Sequence, residues 1–361
     1  MSNTSKKIKL QDLKEFCAAA LVHEGMSQEN ACITAEVLAE TDAYGTHSHG
    51  TKNLHGYIKK ARVNALDIKA DPVVIKEGPA FAIIDAQNGM GMVASCNAME
   101  LACDKAKQAG IGIVTVKNST HFGAAGYFAN IAASRGMFGI SMSNVDPNMT
   151  VPGARGMLMG NNPLSYAAPA LSTPSVFLDI AMSNVASLKV VQARKNGTAI
   201  PDSWIVDKDG LPTTDPSHYP EEGAMQPMAA HKGYGLAVMV ELMTGILAGG
   251  GASMLGDVPS WVFVLDKPNN VCHTFLAIDV EQFVGKEAYT ARTEEMVQAL
   301  RNAPKAKGKD RIYTPGEIEW EKHKQAEACL ELPVEVATSL EGLAVDTGII
   351  IKWQNTEDCN E

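Results

Sequence analysis

The sequence has no excess of basic residues. Its 361 residues include 31 Lys and Arg against 41 Asp and Glu, which gives a formal net charge of −10. Nucleic acids and anionic membrane surfaces attract basic proteins, so we expect neither as a partner. A small anionic ligand is still compatible with this charge, because it requires only a local positive site.

Long apolar runs are also lacking. No run approaches the ~18 apolar residues of a membrane span, and the richest one, residues 235–248, contains Glu241 and indicates a buried helix. The first residues form no apolar signal core.

The 7 cysteines include no CxxC pair, which favours a reducing compartment and no disulfide framework. We therefore expect a cytoplasmic protein.

The patterns that are present indicate an α/β protein. Helical periodicity covers residues 10–22, 27–42 and about 54–65, and the second of these helices opens at Ser27 as its N-cap. A hairpin is predicted over 73–84, and strands then alternate with helices through the middle of the chain. Alternation of this kind is typical of a sheet with helices packed on it.

Helices dominate both ends of the chain. We therefore predict a mainly helical part built from 1–75 with 290–361, and an α/β domain for cofactor and substrate over 76–289.

The second half of the chain contains less regular patterns. We predict a helix over 181–195 and a last helix over 318–330. Residues 200–216 contain too many Pro and Asp residues for a core element, so we expect a turn-rich excursion there. The acidic tail, 356–361, is expected to be disordered.

One stretch is similar to a dinucleotide-binding fingerprint. Gly89 and Gly91 fit G-x-G-x-x-A between a predicted strand and a predicted helix. Two features count against it: residues 85–88 separate the strand from the first glycine, and the next strand ends at Asn118 without an acid for a ribose hydroxyl. A Rossmann-type enzyme is thus a competing hypothesis, and a glycine turn that caps a helix explains the motif as well.

Several polar loops carry residues suited to chemistry. His121 follows a predicted strand, His47 and His49 flank Ser48, and loop histidines suit acid/base work. A zinc site at His47 and His49 lacks further ligands at a familiar spacing, so we predict no metal. The chain also lacks the G-x-S-x-G elbow of many hydrolases.

Lys232 lies at a predicted helix start, which favours phosphate binding.

Five segments together resemble one family. They are DAYGTHSHG (42–50), STHFGAAGYFANIAASRGMFGISMSN (119–144), GNNPLSYAAPA (160–170), IPDSWIVDKDGLPTTDP (200–216) and HKGYGLAVMVELMTGIL (231–247). The chain resembles the malate/L-lactate dehydrogenase superfamily along about residues 10–320. This resemblance implies a non-Rossmann NAD(P)-binding mixed sheet flanked by helices. It also implies oxidation of a small 2-hydroxy acid to its 2-keto acid, with NAD as cofactor and NADP as the alternative, in a homodimer.

The resemblance also implies a role for each matching residue. The catalytic residues would be His121, His49 and Ser48. The substrate would be bound by Tyr57, and Asp146, Asn53 at the family's arginine position and its neighbour Lys52 are the further candidates for substrate binding. The cofactor would be bound by Asp179, Ile180, Ala181, His231, Lys232, Pro315, Gly316 and Glu317.

One departure from the family pattern concerns the substrate carboxylate. Members commonly have an arginine where this chain has Asn53, and an amide cannot replace a charged bidentate clamp. Either Lys52 or Arg155 then supplies the charge, or the substrate is atypical. At Asp146 the chain resembles ureidoglycolate dehydrogenases. Oxidation of ureidoglycolate is therefore an alternative activity. A noncatalytic small-anion-binding protein on the same fold is a third hypothesis, favoured only by Asn53.

Overall fold

A computed structural model describes residues 5–354. The α-helices are α1 (Leu10–His23), α2 (Gln28–Ala43), α3 (Leu54–Arg62), α4 (Gly91–Ala109), α5 (Ala125–Ser134), α6 (Ser187–Asn196), α7 (His231–Glu241), α8 (Val280–Phe283), α9 (Lys286–Arg301), α10 (Glu317–Ala328) and α11 (Val334–Thr347). The strands are β1 (Lys6–Ile8), β2 (Val73–Gly78), β3 (Phe81–Asp85), β4 (Ile111–Ser119), β5 (Phe138–Ser143), β6 (Leu164–Pro169), β7 (Ser175–Ile180), β8 (Ile205–Val206), β9 (Pro212–Thr213), β10 (Ala224–Met225), β11 (Val271–Ile278) and β12 (Leu330–Leu332).

A mixed seven-stranded sheet forms the centre of the molecule. Its strand order is β2-β3-β4-β11-β5-β6-β7. The β3–β4 pair is parallel and joined through α4, whereas the other neighbouring pairs are antiparallel. This arrangement confirms the predicted α/β class and the non-Rossmann mixed sheet.

Small residues allow the helices to lie close to this sheet. A Cβ at Gly112 of β4 would overlap the Ala102 carbonyl of α4, and one at Gly139 of β5 would overlap the Ala129 carbonyl of α5. Glycine is therefore required at both strands for this helix–sheet distance. The interface is filled by fully buried side chains such as Phe128.

The two chain ends meet in the helical part. Strand β1 pairs with β12, and α1 and α2 pack against α10 and α11. The predicted N-cap is confirmed, since the Ser27 hydroxyl accepts a hydrogen bond from the Asn30 N–H at 3.2 Å. Helix α11 and strand β12 were not predicted. The domain boundaries at 75/76 and 289/290 stay predictions.

The predicted helix over 181–195 is wrong at its start, because α6 begins only at Ser187. The residues before it pair with the segment that precedes α7: the Asn184 N–H donates to the Gln226 carbonyl at 2.9 Å, and the Met228 N–H donates to the Met182 carbonyl at 2.8 Å. Long-range backbone pairing thus replaces the local helical preference.

The expectation that 200–216 contributes no core element is also wrong. This segment forms β8 and β9, and Ile205 is completely buried beside Met149 and Met225 in a second core. Its Pro and Asp residues occupy the connections and the sheet edge: Pro212 lies on the edge strand β9, where proline is tolerated. The Asp207 carboxylate accepts N–H bonds within the β8–β9 turn.

The cysteines differ from expectation at one position. Cys17, Cys32, Cys96, Cys103 and Cys272 are free thiols. Cys329 is disulfide-bonded, so the expectation of a chain without disulfides is wrong at this position. Among residues 5–354, no helix combines the length and apolar character needed to cross a membrane. The tail 356–361 lies outside the described residues.

Candidate functional site

His121 lies where β4 leads towards α5. The imidazole is 7% exposed, and its Nδ1 is 2.6 Å from the Tyr57 hydroxyl and accepts a hydrogen bond from the Gly123 N–H at 3.3 Å. Within residues 5–354, no hydrogen bond reaches its Nε2. Burial lowers the pKa of His121 well below its usual value, and the neighbouring His49 and His273 lower it further. The ring is therefore neutral at physiological pH, with one nitrogen available.

His49 lies next to His121. The two rings stack with centroids 5.6 Å apart, and the Ser48 hydroxyl is 2.8 Å from His49 Nδ1. Burial lowers the pKa of His49 as well. The structure thus brings His121, His49 and Ser48, which were predicted as catalytic, together with Tyr57, which was predicted to bind the substrate.

A buried carboxylate shapes the loop that carries His49. Asp42 is completely buried, and its Oδ2 accepts hydrogen bonds from the Thr51 N–H at 2.9 Å and the Thr51 hydroxyl at 2.6 Å. His47 Nδ1 is 2.9 Å from Asp42 Oδ1, and a Cβ at Gly50 would overlap this carboxylate. His47 is thus engaged by Asp42, a residue that the sequence patterns did not single out. Among residues 5–354, no three His, Cys, Asp or Glu side chains form a metal-binding group.

Asn53 supports the same loop. Its Nδ2 donates a hydrogen bond to the Ser48 carbonyl at 2.9 Å. The amide therefore holds the backbone beside His49. Lys52 and Arg155, the two candidate cations, make no ion pair within the described residues.

The glycines of the fingerprint-like motif support the His121 loop. The Gly91 N–H, at the start of α4, donates to the Thr120 hydroxyl at 2.9 Å, and that hydroxyl donates to the Gly89 carbonyl at 3.1 Å. A Cβ at Gly91 would overlap the Thr120 and His121 carbonyls. The expected strand–helix–strand order is present, but the loop occupies the helix N-terminus where a Rossmann fold binds pyrophosphate.

A second buried histidine lies behind this loop. His273 of β11 is completely buried, with Nδ1 2.9 Å from the Ser143 hydroxyl and Nε2 2.9 Å from the Ser119 hydroxyl. Its ring stacks on Phe122 at a centroid distance of 4.5 Å. Burial lowers the pKa of His273 to about 3. It is therefore a neutral link between strands, and it was not among the predicted site residues.

Trp261 covers the His121 ring. The two rings stack with centroids 4.4 Å apart at 17°, and Trp261 also stacks on Tyr57 at 5.7 Å. Trp261 belongs to residues 256–268, a segment without regular secondary structure that precedes β11. No sequence motif identified it, because the contact joins parts of the chain that are far apart in sequence.

Asp146 is engaged by the same segment. Burial raises the pKa of its carboxyl, while hydrogen bonds from the Ser260 hydroxyl and the Trp261 N–H oppose that effect, as does the charge of Lys60. The structure thus places Asp146 beside the site, but with its carboxylate bonded to the Trp261 segment.

A buried acid connects three loops at this end of the sheet. The Glu241 carboxylate, 6% exposed, accepts hydrogen bonds from Asn144 Nδ2 at 3.1 Å, Asn162 Nδ2 at 3.0 Å and the Ser253 N–H at 2.7 Å. Glu241 ends α7, which continues as a π-helix over Leu242–Ile246. Such π-segments often lie near functional sites.

Asp179 lies near the end of β7 and contacts the start of α5. Its Oδ2 accepts a hydrogen bond from the Gly126 N–H, in the first turn of α5, at 2.6 Å. Although the residue is exposed, crowding by protein around the carboxyl raises its pKa to about 6. Ile180 and Ala181 follow it and lead into the extended segment beside α7.

His231 and Lys232 are exposed at the start of α7. Ala229 and Ala230, just before them, have φ of 46° and 52°, a strained conformation for alanine that often marks a functional site. The Lys232 N–H already donates to the Ala229 carbonyl at 3.2 Å. The lysine side chain, rather than the helix amides, is therefore the group available to a phosphate.

The Pro315–Glu317 turn packs against β7. The Phe177 N–H donates to the Pro315 carbonyl at 3.2 Å, and Gly316 has φ of 84° in a position where a Cβ would overlap the Phe177 ring. Glu317 is buried, which by itself raises its pKa, but hydrogen bonds from Thr314 and Arg311 lower it to about 2. The Pro315–Glu317 turn thus lies against β7, and the segment before α7 pairs with the residues that follow β7.

Comparison with known proteins agrees with this geometry. Residues 8–341 match the family described as malate/L-lactate dehydrogenase. The malate dehydrogenase of Pyrococcus horikoshii is 36% identical over 312 residues, which cover 84% of this chain and 85% of that protein. The ureidoglycolate dehydrogenase (NAD(+)) of Escherichia coli O157:H7 is 33% identical over 320 residues, covering 89% of this chain and 90% of that protein.

A solved structure is similar along the whole fold. The sulfolactate dehydrogenase of Methanocaldococcus jannaschii superposes with a TM-score of 0.88 at 32% identity, covering 96% of this chain and 98% of the other. The extent of these matches shows that the chain belongs to the malate/L-lactate dehydrogenase family, a group of oxidoreductases that act on CH–OH groups with a nicotinamide cofactor.

Proposed function

We propose that this protein interconverts a small 2-hydroxy acid and its 2-keto acid, with His121 as the acid/base. The observation that carries this proposal is the state of His121: buried, held at Nδ1 by Tyr57, and without a hydrogen-bond partner at Nε2 among residues 5–354. A general base for a hydroxyl must be neutral and within hydrogen-bond reach of its proton. His49 is the alternative base, because its ring stacks on that of His121.

Each hydroxy acid loses a hydride from C2 and a proton from its hydroxyl. The nicotinamide group, when bound, accepts the hydride. The hydroxyl proton passes to His121 Nε2 in the tautomer whose ring hydrogen is on Nδ1. In that tautomer Nδ1 donates to the Tyr57 oxygen, in place of the hydrogen bond that Nδ1 accepts from the Gly123 N–H in this structure. Reduction of the keto acid reverses these transfers, and the imidazolium returns the proton to the oxygen at C2. Tyr57 thus orients the ring and stabilises its charged form.

The residues around β7 fit a nicotinamide dinucleotide. Lys232 is exposed and has no ion-pair partner within residues 5–354, so its ammonium can neutralise a phosphate. Asp179 uses one oxygen for the Gly126 N–H and retains the other as an acceptor for a ribose hydroxyl. His231, Ile180, Ala181 and the Pro315–Glu317 turn border the same region. We propose NAD as the cofactor, with NADP as the alternative.

The substrate carboxylate requires a cation. Asn53 does not supply one, because its amide donates to the Ser48 carbonyl. We propose Lys52, its chain neighbour, as the anchor, with Arg155 as the alternative. The engagement of Asp146 by Ser260 and Trp261 leaves it less available to a ureido group, and therefore favours a simple hydroxy acid over ureidoglycolate.

We also propose a cytoplasmic homodimer. Helix α7 and the π-helix after it expose apolar side chains that a second copy would cover: Leu236, Met239, Leu242, Ile246 and Leu247.

A substrate screen tests the proposed activity. Malate, lactate, sulfolactate and ureidoglycolate, together with their oxidised forms, are assayed with NAD(H) and NADP(H) by nicotinamide absorbance. We expect turnover of at least one simple 2-hydroxy acid. Binding of these anions without any turnover would instead support the noncatalytic hypothesis.

A further inference from the structure

The segment over 256–268, here named the Trp261 loop, covers His121. We propose that Trp261 limits the size of the substrate's C2 substituent, and that Lys60 is a positioning residue that holds the Trp261 loop in place. This inference rests on the proposed role of His121. The size limit is measured through turnover, whereas the role of Lys60 is measured without it.

Trp261 closes one side of the candidate catalytic group. Its ring lies flat on His121 and also contacts Tyr57, so one face of the imidazole is unavailable to a ligand. A substrate must therefore approach the Nε2 edge within the space that the indole leaves. Val262 and Phe263, the next two residues, are 51% and 74% exposed. The loop thus directs Trp261 inwards while its neighbours face solvent.

Lys60 holds this loop from α3. Its side chain is 1% exposed, and its Nζ donates hydrogen bonds to the Val264 carbonyl at 2.8 Å and the Lys267 carbonyl at 3.0 Å. Lys60 lies three residues after Tyr57, on the same face of α3, so one helix positions both the Trp261 loop and the His121 ring. Burial lowers the pKa of Lys60, against the opposing charges of Asp266 and Asp146. A buried lysine is costly to maintain unless its hydrogen bonds are made.

Further contacts close the base of the loop. Asn269 Nδ2 donates to the Pro259 carbonyl at 3.3 Å, and Asn270 Nδ2 donates to the Asp257 carbonyl at 3.1 Å. The Asp146 carboxylate accepts hydrogen bonds from the Ser260 hydroxyl and the Trp261 N–H. The Trp261 loop is therefore fixed from α3, from the loop after β5 and from its own base, although it contains no helix or strand.

The first experiment tests the size limit. Trp261→Ala and Trp261→Phe are compared with wild type on lactate and on 2-hydroxy acids with longer or aromatic side chains. We expect Trp261→Ala to raise the ratio of kcat/KM for the bulky over the small substrate by roughly tenfold or more, since one methylene in a pocket is worth about 10–200-fold. The same ratio for Trp261→Phe should lie between those of wild type and Trp261→Ala. An unchanged ratio in Trp261→Ala would overturn the role of Trp261.

The second experiment tests Lys60. In Lys60→Met the Trp261 loop should be cleaved within 256–268 by a protease faster than in wild type. Lys60→Arg keeps a donor and should largely retain protection. Lys59→Met, which removes an exposed lysine from the same helix, is the matched control. Cleavage of Lys60→Met at the wild-type rate would overturn the positioning role.

An NMR titration of His121 provides a readout other than activity. The groups that face this ring are Tyr57 from α3, His49 from its loop and His273 from β11. Release of the Trp261 loop exposes the His121 ring, so the pKa of His121 should be higher in Lys60→Met than in wild type. The His121 signal is identified by its absence from the spectrum of His121→Asn. An unshifted titration contradicts the inference. If the titration shifts while His121→Ala retains full activity, the proposed function fails and the inference about the loop stands.

Discussion

The two sides of the candidate site, one around His121 and one around the end of β7, differ in the exposure of their ionisable groups. Around His121, burial lowers the pKa of His121, His49 and His273, so these three rings are neutral at physiological pH. Around the end of β7, Asp179 and Lys232 are exposed. Proton transfer requires a group that is preorganised and shielded from water, whereas a charged cofactor must enter and leave. The fold therefore separates a closed chemical side from an open binding side.

The largest expected effect comes from removing the base on the closed side. His121→Ala should lower kcat by roughly 10²–10⁴-fold, because general-base removal has effects of that size. Cofactor affinity should change little, since the proposed phosphate site is at Lys232. The measurement is steady-state kinetics together with NADH fluorescence titration. A kcat equal to wild type would transfer the base role to His49, which His49→Ala then tests.

Removal of the open-side cation comes next. Lys232→Ala should weaken NADH binding by roughly 10- to 150-fold, the equivalent of about 1.5–3 kcal/mol for a charged hydrogen bond. The KM of the hydroxy acid should change less. Lys208→Ala, which removes an exposed lysine elsewhere, is the control. Equal NADH dissociation constants for Lys232→Ala and wild type would exclude the phosphate role.

The closed side should also make the protein sensitive to acid. The folded-state pKa of His273 is about 3, below the ordinary value of 6.5, so the unfolded chain binds the proton first as pH falls. Stability is then lost below pH ~6.5, by about 2 kcal/mol for this residue between pH 7 and pH 5. His273→Gln should lose about 2 kcal/mol less stability than wild type between pH 7 and pH 5. Urea unfolding at both pH values measures the free energy of unfolding. Identical pH dependence of that free energy in variant and wild type would show that His273 does not contribute.

The sequence predicts the local parts of this site and not its long-range contacts. The helix start at Ser27, the loop positions of His121 and His49 and the helix start beside Lys232 follow from short patterns of neighbouring residues. Trp261 and Lys60 contact residues that are distant in sequence, and Asp42 is a buried carboxylate. The periodicity of the sequence reveals neither such contacts nor such burial. Gly91 illustrates the same limit: the motif correctly indicates a strand–helix–strand unit, but only the structure shows that Thr120 fills the helix N-terminus.

The smallest expected effect separates two roles for Asn53. Its Nδ2 donates to the Ser48 carbonyl, so Asn53→Ala should loosen the backbone that carries His49 and lower kcat by roughly 2- to 12-fold, the value of a hydrogen bond of about 0.5–1.5 kcal/mol. The KM of the hydroxy acid should stay near wild type, because the amide is already engaged and Lys52 is the proposed anchor. Lys52→Ala is the matched variant, and it should raise KM by roughly tenfold or more while kcat changes little. The reverse pattern, a raised KM in Asn53→Ala and none in Lys52→Ala, would place Asn53 on the substrate carboxylate. Asn53 would then belong with the binding residues, and its bond to Ser48 would open when the substrate enters.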